Sequence, residues 1–111
     1  MQTSPGTVSI SKLEQTLRVV LTGEIDSHAV DAVTFAELES VGTVSEVVVD
    51  MTDTTVLDSQ GVALLLQLRQ LGPAASAVAL VGANRRVHNV LRVCGVEKVF
   101  TFVDAPTNPT P

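Results

Sequence analysis

Aromatic side chains are nearly missing from this 111-residue chain, which has three phenylalanines and neither tryptophan nor tyrosine. Lysine and arginine total 7 against 12 acidic residues, a formal net charge of −5. Nucleic-acid binding calls for a basic face and stacking rings, so direct DNA or RNA contact is not expected and protein partners are favoured. Cys94 is the single cysteine. It excludes a disulfide within the chain and reads as a buried, inert thiol. His28 and His88 are the only histidines, far apart and without a companion cysteine, so zinc spacing is not met and no metal or other cofactor is expected. No unbroken aliphatic run exceeds five residues, as in VALLL at 62–66. Roughly 20 are needed for a helix to cross a bilayer, so no membrane span is expected. The opening MQTSPG lacks a basic start with an apolar segment behind it, which makes the cytoplasm the expected compartment.

What the chain does contain is core-forming material. Hydrophobic residues make up 45% and charged residues 17%, enough for one ordinary domain with disorder confined to the ends. Residues 7–10 and 16–25 are β-branched and alternating, separated by the polar KLEQ, the pattern of a hairpin. A first helix is expected over AVDAVTFAELESV, where Val30, Val33, Leu38 and Val41 recur at helical spacing behind Asp26 or Ser27 as cap. Val47, Val48 and Val49 form a continuous run suited to a strand covered on both faces. A second helix starts at Ser59, residues 77–81 repeat the buried-strand pattern, and a third helix over 84–94 starts at an asparagine cap and stops at Gly95. Residues 99–103 close the sheet.

Strands alternating with helices imply right-handed crossovers, hence an α/β fold with a mixed sheet whose antiparallel character comes from the N-terminal hairpin. The expected organisation is a short flexible segment over 1–6, one domain over 7–103, and a flexible proline-rich tail over 104–111, since three prolines in APTNPTP remove amide donors.

The stretch TTVLDSQGVALLL, residues 54–66, poses the functional question. A serine that opens a helix needs no further reason than satisfying an orphan amide. At 100° per residue, however, Leu64, Leu65, Leu68 and Leu71 fall on one arc, assigned to the core, while Ser59, Ala63, Gln67 and Gln70 lie opposite. Val62 and Leu66 flank the serine on that outer side. The wheel alone leaves two readings open: an apolar docking patch beside a hydroxyl, or a patch covered by a neighbouring element.

VLDSQGVALLL resembles the Asp-Ser-Ser/Thr-Gly signature of the STAS domain, shared by anti-sigma factor antagonists and the cytoplasmic ends of sulfate transporters. VVLTGEIDSHAV is similar to the family's strand ending in Gly-Glu-Leu-Asp, and VGANRRVHNVLRVCGVEKVF to its closing block. The likeness runs from Thr7 to Val103 and, with no transporter segment present, points to the free-standing antagonist branch. It implies a STAS-like sandwich and a phosphorylation switch. Ser59 would be phosphorylated by an anti-sigma factor that is a serine kinase using ATP, and a PPM-type phosphatase would restore it. The unmodified form would bind the anti-sigma factor and free the sigma subunit. Gln60 stands where many relatives carry a second hydroxyl, leaving Ser59 the sole acceptor in the motif. The partner-binding residues expected on this basis are Asp26, Asp58, Ser59, Gln60, Gly61, Val62, Ala63 and Leu66, with self-association into a homodimer allowed.

A phosphoryl group adds roughly −1.5 to −2 charges. At a helix amino end this is worth about 0.3 to 1 kcal/mol, so the fold should persist and release should originate at the interface. Asp50 and Asp53 read as turn formers, and Arg85, Arg86 and Arg92 as solvated charges. DSQG is not a G-x-S-x-G elbow and no histidine stands in a recognisable place to accept the proton, so catalysis is not expected. Some STAS relatives sense nucleotides or lipids, the alternative reading, although no Walker-type loop occurs here.

Overall fold

The computed structural model describes residues 6–31, 42, 44–71 and 78–104. Strand β1 (Thr7–Leu13) turns through Glu14 and Gln15 into β2 (Thr16–Ile25), an antiparallel hairpin. It is longer than the apolar pattern implies: pairing continues to Leu13↔Thr16, and Glu14 takes a left-handed φ of 58°. The polar residues of KLEQ are compatible with this because β1 is an edge strand with one side open to solvent.

In β2 every second residue points inward: Leu17, Val19, Leu21 and Ile25 are fully buried while Arg18 is exposed. Helix α1 (Ser27–Asp31) follows, then β3 (Glu46–Asp50), β4 (Thr54–Leu57), helix α2 (Ser59–Arg69), β5 (Val78–Val81), helix α3 (Arg85–Val93), a 3₁₀ turn at Glu97–Val99, and β6 (Phe100–Val103). The strand order is β1-β2-β3-β5-β6, with every pair after the hairpin parallel, and β4 lies off that path. The fold is the mixed α/β arrangement read from the sequence. Most of the first predicted helix, with Val33, Leu38 and Val41, lies outside the described residues, as do Ala77 and the chain ends at 1–5 and 105–111.

Strand β4 is absent from the sequence reading. It pairs with the far end of β2, where the register shifts between Gly23 and Glu24, so β3 and β4 run along successive stretches of one long strand. The MTD segment at 51–53 makes the break. Thr54, the one buried polar residue among those described, donates its hydroxyl to the carbonyl of Leu21 at 2.7 Å. The expectation for β3 also needs correction. Val47 and Val49 are buried, but Val48 is only half-buried, because the core layer covers one face of this strand more completely than the other.

Helix α3 ends as its sequence promised. Gly95 adopts φ 75°, its N–H bonds to the carbonyl of Arg92, and the N–H of Val96 bonds to that of Leu91, a Schellman closure. The helix therefore turns Cys94 outward: this thiol is exposed, contrary to the buried one expected, because it occupies the C-cap on the solvent side.

Candidate functional site

Two parallel strands deliver the site. Ile25 of β2 is in register with Leu57 of β4, and the next residue of each chain segment is an aspartate. The N–H of Asp58 donates to the carbonyl of Ile25 at 3.2 Å, which joins the two strand ends on one rim. Each aspartate then caps the helix that follows. Asp26 accepts from the N–H of Ala29 at 3.0 Å at the start of α1. Asp58 accepts from the N–H groups of Gln60 and Gly61 at 2.9 and 3.1 Å at the start of α2. The cap of α2 is thus Asp58 and not Ser59, which frees the serine from the local role that its position suggested.

Ser59 is exposed, and its side chain has no hydrogen-bond partner among the described residues. Gln60 and Ala63 are exposed beside it, while Asp26, Asp58 and Leu66 are half-buried. Val62 and Gly61, two of the residues expected on this surface, lie beneath it. Val62 retains only 5% of its accessible surface and belongs to the core, because α1 packs against α2 and covers that side of the helix. Leu66 also packs on the core, though partly exposed. Of the two readings that the helical wheel left open, cover by a neighbouring element holds for Val62.

Gly61 is likewise buried. A Cβ there would lie 2.4 Å from Leu57 Cδ1 and 3.1 Å from both Ile25 Cγ2 and the Ile25 carbonyl oxygen. The glycine of the motif is therefore a packing requirement: it lets the first turn of α2 approach the ends of β2 and β4, and so sets the height at which Ser59 stands.

Asp50 is occupied by its own turn. Its carboxylate accepts from the hydroxyl and N–H of Thr52 at 2.7 and 3.0 Å and pairs with Arg18 at 2.9 Å. The Thr52 hydroxyl first, then its N–H, and the Arg18 charge hold this carboxyl below its ordinary pKa against the opposing effect of burial. His88 stacks on Phe102 with ring centroids 4.1 Å apart.

Sequence reasoning did not anticipate an open cleft of about 580 Å³ lined by Thr52, Asp53, Thr54, Thr55, Asn84, Arg85 and Arg86. Asn84 builds its wall twice over, capping α3 through the N–H of Val87 at 2.9 Å and donating to the carbonyl of Thr54 at 2.8 Å. Only the capping half of that role was legible. Ser59 does not line this cleft. No described helix is long and apolar enough to cross a membrane.

The chain matches the family model of the STAS domain over residues 7–110. No curated protein matches it. Among solved structures it is similar to the anti-sigma factor antagonist SpoIIAA in its unphosphorylated form, at 25% identity and TM-score 0.73 over 90% of this chain and 89% of that one. The Bacillus cell fate determinant SpoIIAA in the phosphorylated form aligns at 24% identity and TM-score 0.68, over 90% and 92% of the two chains. An anti-sigma factor antagonist from Mycobacterium paratuberculosis aligns at 18% and 0.66, over 96% and 92%. These last two are likenesses of fold. A family match that takes in almost the whole sequence, on a mixed sheet with the DSQG turn at its rim, makes this chain a member of the STAS domain family.

Proposed function

We propose that this protein is an anti-sigma factor antagonist, switched off by phosphorylation of Ser59. The observation that carries the reading is the exposed Ser59 hydroxyl, without a side-chain partner among the described residues, on the rim between two strand ends. Similarity to SpoIIAA, whose structure is known in both a phosphorylated and an unphosphorylated form, supports it. In this reading the unmodified chain docks on an anti-sigma factor that is a serine kinase and thereby frees a sigma factor. Ser59 Oγ then takes the terminal phosphoryl group of ATP, yielding ADP and releasing the hydroxyl proton. A PPM-type phosphatase reverses the step.

The docking surface comprises Asp26, Asp58, Ser59, Gln60, Ala63 and the exposed part of Leu66. Val62 and Gly61 serve it from beneath, by packing. Burying a phosphoryl dianion against Ala63 and Leu66 without a counter-charge costs several kcal/mol, and a loss of about 2 kcal/mol already weakens binding roughly thirtyfold. Incubation with candidate anti-sigma kinases and ATP, followed by peptide mass analysis, should find one phosphoryl group on the peptide that contains Ser59 and none on Ser59→Ala. Modification elsewhere, or equal modification of Ser59→Ala, would count against the proposal.

A further inference from the structure

We infer that Asp58 keeps a phosphoryl group on Ser59 out of the amide cup of helix α2, so that the added charge stays on the rim, unneutralised by the helix and fully presented to partners. The inference rests on the reading of Ser59 as the modified residue. An α-helix leaves its first amide donors without intrahelical acceptors, and an anion placed there ordinarily takes them. On that ground alone a phosphate at Ser59 would fold back onto the helix and stabilise it.

The donors of α2 are already committed. The N–H of Val62 bonds to the Asp58 carbonyl at 3.0 Å, and those of Gln60 and Gly61 bond to a single carboxylate oxygen of Asp58 at 2.9 and 3.1 Å. Only the N–H of Ser59 itself is left without a partner among the described residues. The backbone of Asp58 is anchored through its N–H to Ile25 across the strand ends, and its carboxylate is held by the two amide bonds that it accepts. Its carboxylate therefore meets the incoming phosphate as a like charge in the place where the helix would offer neutralisation. Asp26, whose carboxylate caps α1 on the same rim, adds a second acidic group held in place by its helix. Modification thus builds a cluster of three anionic groups at one edge of the sheet. On this inference the helix end does not take up the phosphate as its amide donors alone would lead one to expect, because the Asp58 carboxylate already holds that position.

The test uses protein carrying phosphoserine installed at position 59 during translation, in the natural background and with Asp58→Ala or Asp58→Asn. Two quantities are read: the change in melting temperature on phosphorylation, and the midpoint of the phosphoserine ³¹P titration. With Asp58 present, phosphorylation should not raise the melting temperature, and the midpoint should lie at or above the ordinary value of about 6. In Asp58→Ala the freed amides should accept the phosphate, so phosphorylation raises the melting temperature by a few degrees and the midpoint falls below that value. Asp58→Asn keeps the cap but removes its charge. There the midpoint should fall while the melting temperature still does not rise. Equal stabilisation by phosphate in the natural and Asp58→Ala proteins would overturn the inference, as would a lowered midpoint in the natural protein. Should Asp58→Ala fail to fold, an unchanged midpoint in Asp58→Asn would overturn it equally. No kinase enters the experiment, so its outcome is separate from whether a cognate kinase exists.

Discussion

Gly61→Val should destabilise the protein by about 3 kcal/mol, lowering the melting temperature by something on the order of 10–20 °C. The Cβ alone would press on Leu57 Cδ1 at 2.4 Å and on the Ile25 carbonyl at 3.1 Å, and valine adds two methyl groups to that contact. Leu57 has little room to yield because it retains 2% exposure in the core, and the Ile25 carbonyl is backbone that also accepts from Asp58. Removing a helical glycine returns about 0.5–1 kcal/mol of backbone entropy, which is too little to offset the overlap. Ala63→Val, two residues further along the same helix and exposed, serves as the control and should change stability by no more than about 0.5 kcal/mol. Thermal or denaturant unfolding of the pair checks both. Equal stability of the two variants would contradict the packing role assigned to the motif glycine.

Leu65→Ala should cost about 2–5 kcal/mol, measured by urea unfolding with an unchanged slope. Leu65 is fully buried in the hydrophobic core, so truncation leaves a void as well as losing apolar burial. Leu66→Ala, at a residue that packs on the core but keeps part of its surface, should cost clearly less, under about 2 kcal/mol. The ordering matters more than either value. If Leu66→Ala proved the more damaging, α2 would present a different face to the sheet, and Ser59 would not stand on the outer rim.

Much of this arrangement was legible in the residues because local and global preferences agree there. Alternation in β2, the asparagine cap and glycine stop of α3, and the leucine arc of α2 each follow from one element's own periodicity, and the structure keeps all three. What was illegible depended on a second element. Val62 appears on the outer side of its own helix, and only the packing of α1 across α2 places it inside. β4 has four residues, two of them threonines, and its existence depends on the free end of β2 after the register shift. Gly61 looked like part of a recognition motif, whereas its reason is an approach to Ile25 and Leu57 that no local pattern encodes. Asp58 looked like a neighbour of the reactive serine. Its carboxylate holds two amides of the following helix, a capping role that the sequence offered equally to the serine beside it.

The central claim is that a phosphoryl group on Ser59 changes which protein docks while leaving the fold in place. It is tested most directly on one sample carrying phosphoserine at position 59, by titrating it against a cognate anti-sigma kinase and recording its amide spectrum beside that of the unmodified protein. Affinity should fall by roughly thirtyfold or more, with amide shifts confined to the ends of β2 and β4 and the first turn of α2. Undiminished affinity, or a spectrum altered throughout the sheet, would contradict it.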